Sequence, residues 1–208
     1  MSSMDSRRIA GQEPTAGRRR VLVAMSGGVD SSVAAAMLVD EGHDVVGATM
    51  KTFCYTGTAD HGKTCCGLDG IRDARKVARA LGVEHHVFDV EEDFTRDVID
   101  DFVAEYGRGR TPNPCVRCNS FTKFQDLRRR AADLGCDAVA TGHYVRSAHP
   151  DHPGPALFRG LDPRKDQSYF LWGIPRESLG EVLFPVGALT KTEVRERARA
   201  LELATAEK

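Results

Sequence analysis

The sequence has no apolar run that approaches the ~20 residues of a membrane-spanning helix, and its N-terminus lacks the apolar core of a secretory signal. It also lacks an excess of charge, because 29 basic and 30 acidic residues give a formal net charge of -1. The chain as a whole is therefore not drawn to membranes or polyanions, and a nucleic-acid partner must be held by a local cluster of cations. We expect a globular protein of the cytoplasm.

No internal repeat is visible, and the six cysteines are distributed unevenly. In a reducing compartment, clustered cysteines indicate metal ligands or sulfur chemistry before structural disulfides. Cys136 stands apart at a predicted helix-to-strand junction and is predicted to be a core residue. The clustered cysteines are Cys54, Cys65 and Cys66 in one predicted loop, and Cys115 and Cys118, which form a C-x-x-C motif, in another.

Short apolar runs alternate with helical patterns from Arg20 onward. Because no hairpin turns interrupt this alternation, it predicts an α/β fold, an open and mostly parallel sheet with helices on both faces. The predicted strands are 21–25, 44–52, 83–90 and 137–141, and the predicted helices are 30–41, 68–81, 94–106 and 119–134. Further on, 157–160 and 167–171 are predicted strands, and 175–182 and 190–201 are predicted helices, the last with a capping box at Thr190 and Glu193.

The domain organisation follows from composition. Residues 1–19 are polar and rich in Ser, Gly and Arg, which predicts a disordered tail. We expect one domain at 20–208, with a His- and Pro-rich surface loop at 146–156 and a distal part at 157–208. Since the sequence stops without a closing element, we expect a truncated form of a longer protein.

The segment "MSGGVDSS" connects the first predicted strand to the first predicted helix. Gly27 and Gly28 permit a close approach of ligand to backbone. Their N–H groups, the hydroxyls of Ser31 and Ser32 and the positive end of the helix together predict an anion cradle. The segment has no G-K-[ST] ending, which excludes the common loop for γ-phosphate transfer. It leaves the carboxyl end of a strand, where open α/β sheets bind ligands.

The segment "GRTPNPCVRCN", residues 109–119, is a second candidate site. Its two prolines stiffen the backbone. Cys115 and Cys118 are spaced to hold one metal ion or to let one thiolate attack the other, and nearby arginines and the following helix start are expected to lower a thiolate pKa. A C-x-x-C alone is typical of half a zinc site, whose other ligands Cys65 and Cys66 are able to supply.

Two more motifs follow, "ATGHY" at Ala140–Tyr144 and "RGLDPRKDQSYFL" at Arg159–Leu171. The glycine-rich segment resembles the PP-loop of ATP pyrophosphatases, which cleave ATP between the α- and β-phosphates. In this order, the four motifs resemble the tRNA-specific 2-thiouridylase family over roughly residues 20–208. The resemblance implies an adenine nucleotide alpha hydrolase-like (PP-loop, HUP) fold and a sulfurtransferase that places sulfur at C2 of the wobble uridine, U34.

The resemblance also implies roles for individual residues. Asp30 would help to position Mg²⁺-bound phosphates, and Met50 would contact the adenine. His143 would lie near the reacting centre, although a strand-end histidine bonded to backbone is the alternative. The residues implied for binding ATP are Ala24, Met25, Ser26, Gly27, Gly28, Val29, Asp30, Ser31, Met50 and Gly142.

For tRNA, the resemblance places the target base at Asn113, Pro114 and Cys115. A second contact to tRNA would be made by Lys165, Asp166 and Gln167. The implied partners are tRNAs with Lys, Glu or Gln type anticodon loops, together with a sulfur donor or relay protein, and no membrane.

Cys118 matches the nucleophilic cysteine of the family. The C2 oxygen would first be adenylated, and sulfur would then displace AMP. In many members the position of Cys115 is an aspartate, so a candidate general base is missing. The later cysteine that carries a persulfide in much of the family is also missing, whereas the C-x-x-C resembles a subgroup in which three cysteines hold a [4Fe-4S] cluster.

Cys115 and Cys118 are therefore candidates for catalysis and for iron–sulfur ligation, and the persulfide and cluster mechanisms both stay open. Three other interpretations remain. The chain is alternatively another PP-loop enzyme that adenylates a different substrate, a metal-stabilised RNA-binding module, or an inactive fragment that binds nucleotide. The sequence assigns no role to Cys54, Cys65 and Cys66.

Overall fold

The computed structural model of the protein describes residues 17–52, 68–147 and 154–208. Its first half alternates strand and helix as predicted, and each bound lies within one residue of the prediction. These elements are β1 (Arg20–Ala24), α1 (Val29–Asp40), β2 (Asp44–Lys51), α2 (Leu68–Leu81) and β3 (Glu84–Asp89). The predicted tail lies mostly outside the described residues, and so does most of the predicted surface loop at 146–156.

Two longer helical segments follow, and each contains a π-helical turn. The first, 91–107, consists of α3 (Glu91–Phe94), a π-helix (Thr95–Ile99) and α4 (Asp100–Gly107). The second, 114–133, consists of α5 (Pro114–Arg117), a π-helix (Cys118–Lys123) and α6 (Phe124–Asp133).

Both segments begin before their predicted first residue, because a preceding side chain accepts first-turn N–H groups. Asp89 Oδ1 accepts from the N–H of Glu91 (3.1 Å). Asn113 Oδ1 accepts from the N–H groups of Cys115 (3.2 Å) and Val116 (3.3 Å). The prediction that the C-x-x-C lies in a loop was therefore wrong, since it occupies the first turns of a helix.

The remaining elements are β4 (Ala138–Thr141), β5 (Val145–Arg146), β6 (Phe158–Arg159), β7 (Val182–Leu183) and α7 (Lys191–Ala200). The main sheet has the order β3-β2-β1-β4-β7, and all of its neighbouring strands are parallel. This confirms the predicted open parallel sheet. From β1 the chain runs outward through β2 to β3 and later returns to the other side of β1 with β4, which makes the edge between β1 and β4 a topological switch point.

Helices cover both faces of the sheet, as predicted. On one face Val21 and Val23 pack among the apolar side chains of α1, α2 and α7. On the other, Leu22 and Val46 pack with Leu127 of α6 and its neighbours. A third apolar cluster around Phe124 joins 171–184 to the rest of the domain. Within the three described stretches, no helix is both long enough and apolar enough to cross a membrane.

Two predictions in the distal part were wrong. Residues 167–171 form a 3₁₀-helix (Ser168–Leu171) and not a strand, because the N–H of Ser168 is bound by Asp166 Oδ1 (3.2 Å). The predicted helix 175–182 is a 3₁₀-helix (Arg176–Glu181) followed by β7, a strand that prediction missed. Two residues are too few to show a periodic pattern in the sequence, so this strand is defined only by the pairing of Val182 with Val139 on β4.

The predicted strand at 157–160 is confirmed by β6, which pairs antiparallel with β5.

Candidate functional site

The glycine-rich loop closes tightly over the carboxyl end of β1. Gly27 has φ of +73°, a conformation that favours glycine, and a Cβ there would overlap the carbonyl of Gly70 on α2. A Cβ on Gly70 would in turn lie 2.7 Å from the carbonyl oxygen of Ser26. Positions 27 and 70 must therefore both be glycine for the loop to pack against the start of α2.

The serine hydroxyls hold the loop in shape. Ser31 Oγ accepts from the N–H of Ser26 (3.2 Å) and donates to the carbonyl of Gly28 (3.2 Å). Ser32 is fully buried, and its hydroxyl donates to the same carbonyl (2.8 Å). The prediction that the Ser32 hydroxyl faces an anion was wrong, since burial and this bond leave it no access to one. Ser26 is the exposed serine of the loop.

The N-terminus of α1 is left without a side-chain cap. Gly28 is its N-cap residue and offers no hydrogen bond to the first turn. The first N–H groups of a helix have no partner within the helix and carry the positive end of its dipole. With no side-chain cap in place, these groups are free of a capping partner, as the predicted anion cradle requires.

Gly142 lies at the switch point against this turn. A Cβ on Gly142 would lie 2.5 Å from the backbone nitrogen of Ser31 and 2.6 Å from the carbonyl carbon of Asp30. The structure thus brings the "ATGHY" motif and the glycine-rich loop into direct contact. Met50, near the end of β2, is buried in the core beside Val46 and Ala48.

Asp30 has two partners that sequence analysis missed. Its Oδ1 accepts from the hydroxyl of Tyr144 (2.7 Å) and from the Nζ of Lys191 (2.6 Å). Burial, together with the hydrogen bond to Asp30, raises the pKa of Tyr144, so its hydroxyl stays a donor. Lys191 is the first residue of α7. The sequence around it predicted the helix cap at Thr190 but no contact of Lys191 with Asp30. The ammonium of Lys191 lies beside the loop, paired with the carboxylate of Asp30.

Two residues implied for ATP binding have side chains in the core. Met25 is 2% exposed and Val29 is 4% exposed, and both pack in the cluster beneath α1. The backbone of Met25 is also engaged, because its N–H donates to Ala48 (2.7 Å) and its carbonyl accepts from Thr49 Oγ1 (2.7 Å). These residues fix the start of the loop through packing.

His143 lies directly after β4, beside Gly142. Its Nδ1 is hydrogen-bonded to Thr141 Oγ1 (2.8 Å), so the partner is a side chain and not the backbone that the alternative interpretation expected. Burial, followed by the positive charge of Lys123, lowers the pKa of His143 to about 3. The imidazole is therefore neutral near pH 7. Its ring lies 6.1 Å from that of Phe124, centroid to centroid.

Phe124 connects this centre to the helical segment that carries the two cysteines. Asn113 caps that segment and Pro114 is its first residue, so two of the three residues predicted to touch the base have structural roles. Cys115 is exposed and Cys118 is partly buried, and neither forms a disulfide. At a spacing of three residues, the two thiols share one face of the helix.

The arginines near the motif are paired with carboxylates. Arg108 and Arg110 both bind Glu105 (2.6 and 2.8 Å), and Arg117 binds Asp101 (3.1 Å). Arg108 and Arg110 share one carboxylate, so two of these three charges are balanced where sequence analysis expected arginines to act on a thiolate.

Two buried polar side chains follow Cys118. Asn119 Oδ1 and Ser120 Oγ are buried and have no hydrogen-bond partner within the described part of the chain. Buried polar groups without partners are rare and often accompany functional sites, as do π-helical turns. Sequence analysis missed both residues, because nothing in their local pattern signals an unused hydrogen bond.

A three-cysteine cluster site is not formed by the residues that the structure describes. Across 17–52, 68–147 and 154–208, no group of three or more His, Cys, Asp or Glu side chains is placed to hold a metal ion. Cys54, Cys65 and Cys66 lie outside these ranges. Cys136 was predicted to be a buried core residue but is only partly buried, packed against the apolar cluster that contains Leu127, and burial raises its thiol pKa.

The "KDQ" triplet forms a loop beside Tyr144. Asp166 Oδ1 accepts from the N–H groups of Gly160 (3.1 Å) and Ser168 (3.2 Å), so it holds the loop together. Gln167 Oε1 accepts from the N–H of Tyr144 (2.9 Å). The side chain of Lys165 is exposed. Unlike those of Asp166 and Gln167, it makes no hydrogen bond among the contacts that the structure describes.

A family model described as the tRNA methyl transferase HUP domain matches residues 19–208. The tRNA-specific 2-thiouridylase MnmA of Geotalea uraniireducens is 53% identical over 195 residues, covering 92% of this chain and 52% of that protein. The protein of the same name from Thermus thermophilus is 51% identical over 195 residues, covering 90% and 52%. The chain spans about half the length of the curated relatives it matches.

Solved structures share the fold at low identity. A 4-thiouridine synthetase in complex with RNA and with bound ATP has a TM-score of 0.58 and 18% identity, covering 91% of this chain and 42% of that one. The NMN synthetase of Francisella tularensis has a TM-score of 0.52 and 16% identity, covering 92% and 65%. These similarities show the fold alone.

Proposed function

This chain belongs to the family described as the tRNA methyl transferase HUP domain, and from that premise we propose that it activates a base of tRNA with ATP and exchanges an oxygen of that base for sulfur. The relatives named tRNA-specific 2-thiouridylase support this proposal. The proposed target is the C2 oxygen of the wobble uridine in tRNAs with Lys, Glu or Gln type anticodon loops.

The observation that carries the proposal is the uncapped N-terminus of α1 at the switch point, with the ammonium of Lys191 beside it. Helix N–H groups and a lysine favour a polyphosphate. ATP would lie along the loop 24–31, bound mainly through backbone groups. Met50 and Gly142 would border the adenine and the sugar.

Mg²⁺ suits the carboxylate of Asp30, since oxygen ligands are those it prefers. Tyr144 and Lys191 both use Oδ1, so the second carboxylate oxygen is the one available to a metal ion. When bound, Mg²⁺ would neutralise charge on the phosphates.

In the proposed first step, the uridine C2 oxygen attacks the α-phosphorus of ATP. The bond between the α- and β-phosphates breaks, pyrophosphate leaves, and the base loses its N3 proton. His143 is neutral and a weak base at pH 7, so it would orient the base or the α-phosphate by hydrogen bonding, and the N3 proton would pass to water. AMP is then a good leaving group on C2.

In the second step, the terminal sulfur of a persulfide attacks C2, the C2–O bond breaks and AMP leaves. The Cys118 thiolate then attacks the inner sulfur of the resulting disulfide. This releases 2-thiouridine and leaves Cys118 in a mixed disulfide, which an external thiol reduces. The described residues supply only two cysteines in one place, too few for a three-cysteine cluster, so we derive no step through iron.

For tRNA contact, Lys165 is an exposed cation of its loop, as is its neighbour Arg164, and it is suited to bind phosphate. Asn113 and Pro114 would present the first helical turn to an everted base. Asp166 and Gln167 would act by holding the loop in shape. A persulfide-carrying relay protein is the proposed sulfur donor, and the cytoplasm, where tRNA is abundant, is the proposed compartment.

The test supplies the 208-residue chain with tRNA, ATP labelled in the α-phosphate, Mg²⁺ and a small-molecule persulfide, in a single turnover without added thiol. We expect tRNA-dependent release of pyrophosphate and AMP, and 2-thiouridine in the digested tRNA by mass spectrometry. Cys118→Ala should still form AMP but yield no free 2-thiouridine. Cys136→Ala, the matched cysteine control, should behave as the unsubstituted chain does.

Two outcomes contradict the proposal. Absence of tRNA-dependent AMP formation would remove the adenylation step. A methylated base in place of a thiolated one, found when S-adenosylmethionine is supplied, would favour the reaction named in the family description.

A further inference from the structure

Tyr144 joins the glycine-rich loop to the loop that contains Lys165. Its side chain is 2% exposed, and its hydroxyl donates to Asp30 Oδ1 (2.7 Å). Its backbone makes two bonds to Gln167, one from the Tyr144 N–H to Oε1 (2.9 Å) and one from the Gln167 N–H to the Tyr144 carbonyl (3.1 Å). One residue thus contacts both loops.

The fit between Tyr144 and this loop is close. A Cβ on Gly160 would lie 2.6 Å from the carbonyl oxygen of Tyr144, so the loop packs directly on the tyrosine backbone. Asp166 binds the N–H groups at both ends of the loop, at Gly160 and Ser168. The loop is thus held at both ends and attached to the backbone of Tyr144.

A second connection runs in parallel. Asp162, in the same loop, accepts from the backbone N–H of Lys191 through Oδ2 (3.1 Å). The side chain of Lys191 then reaches Asp30 Oδ1 (2.6 Å), the oxygen that Tyr144 also uses. Its Nζ lies 5.9 Å from the centroid of the Tyr144 ring. The two routes form a ring that begins and ends at Asp30.

The contacts in this ring span large sequence separations, and each one connects groups that the fold alone brings together. A ligand that fixes either loop restricts the other through Tyr144 and Lys191. When the first ligand orders both loops, the second ligand loses less conformational entropy on binding and therefore binds more tightly.

We propose that Tyr144 is a positioning residue, an inference that rests on the proposed function. It couples RNA contact at the 160–168 loop to the orientation of Asp30 in the glycine-rich loop. RNA and ATP then raise each other's affinity. Linkage requires that the factor be the same in both directions, which provides an internal check.

The experiment uses the 208-residue chain with tRNA and α,β-methylene ATP, which resists cleavage between the α- and β-phosphates. The Kd of the nucleotide is measured with and without saturating tRNA, and the Kd of tRNA with and without saturating nucleotide. We expect a mutual tightening of roughly fivefold or more. In Tyr144→Phe, which keeps the buried ring but loses the bond to Asp30, this factor should fall in both directions by the same amount, leaving only the part carried by Lys191.

Two further variants make the result specific. Gln167→Met removes the acceptor at the other end of the link and should lower the coupling factor as well, whatever it does to the affinity for tRNA alone. Tyr106→Phe, an exposed tyrosine on α4, is the matched control and should keep the full factor. Thermal unfolding confirms that each variant is folded.

An unchanged coupling factor in Tyr144→Phe and Gln167→Met would overturn the inference. Binding of both ligands by the unsubstituted chain with no mutual effect would overturn it too, while leaving the proposed function intact. Failure to bind the nucleotide or tRNA at all would overturn the proposed function and this inference with it.

Discussion

His143 shows how a single side chain takes its properties from its surroundings. Burial and the charge of Lys123 lower its pKa to about 3, against 6.5 for an ordinary histidine. Below pH 6.5 the unfolded chain takes up a proton at this position that the folded chain refuses. The free energy of unfolding therefore falls as the pH drops from about 6.5 toward 3.

We predict that His143→Asn makes this acid loss of stability shallower. The amide of asparagine keeps a hydrogen-bonding group near Thr141 but does not titrate. The slope of unfolding free energy against pH between about 6 and 4 should decrease by one proton, or about 1.4 kcal/mol per pH unit. Urea unfolding at a series of pH values measures both slopes.

His85, whose pKa burial lowers to about 4, is present in both proteins and cancels from the difference. Equal slopes in the two proteins would mean that His143 is protonated in the folded state over this range. That result would also reopen the assignment of His143 as a neutral group at the site.

At the scale of elements, the helix starts position the site. The helical segment 114–133 begins at the Asn113 cap, which places both thiols in its first turns. α7 begins at a capping box between Thr190 and Glu193, as the sequence predicted. Since Lys191 is the first residue of α7, the same cap fixes the backbone of the residue whose side chain reaches Asp30.

We predict that Thr190→Ala lowers both stability and nucleotide affinity. Loss of the capping hydroxyl, which accepts from the N–H of Glu193, should reduce the free energy of unfolding by about 1 kcal/mol. Fraying of the first turn should also release Lys191 and weaken nucleotide binding. Chemical unfolding and nucleotide titration provide the two measurements.

The control is Thr192→Ala, an exposed threonine in the same turn that makes no capping bond. It should change neither quantity by a comparable amount. If both substitutions weaken nucleotide binding equally, the effect does not come from the cap.

At the scale of the whole molecule, the strand order decides where the motifs meet. β1 and β4 are neighbours in the sheet although their first residues lie far apart in the chain, and Gly142 after β4 packs on the backbone of Asp30 and Ser31. The close approach of these two strand ends forms the candidate site. It depends on the absence of a side chain at one position.

We predict that Gly142→Ala disrupts the site. The added Cβ would lie 2.5 Å from a backbone nitrogen, and backbone atoms cannot move aside as a flexible side chain does. Unfolding free energy should fall by about 1 to 3 kcal/mol, and nucleotide affinity should fall at least about tenfold as the loop shifts. Urea unfolding and nucleotide titration test both effects.

Gly107→Ala is the matched control, because a Cβ at this helical glycine would meet no atom within 4 Å. We expect its stability to be unchanged or slightly raised, since alanine favours a helix. Nucleotide binding by Gly142→Ala at the affinity of the unsubstituted chain would contradict the proposed location of the site.

The sequence by itself determined the strands and helices of the first half, the glycine-rich turn after β1 and the capping box of α7. Each depends on residues that are neighbours in the chain, through apolar periodicity, glycine conformation or a side chain that binds a nearby N–H group. For the same reason the parallel sheet with helices on both faces was predictable from the alternation alone.

Only the tertiary structure decided that Lys191 and Tyr144 share one oxygen of Asp30, that β7 joins the sheet beside β4, and that Ser32 faces inward. The Asp30 contacts span 161 and 114 residues. No local pattern encodes such contacts, because they arise when packing of the whole core brings distant segments together and closes the spaces between them.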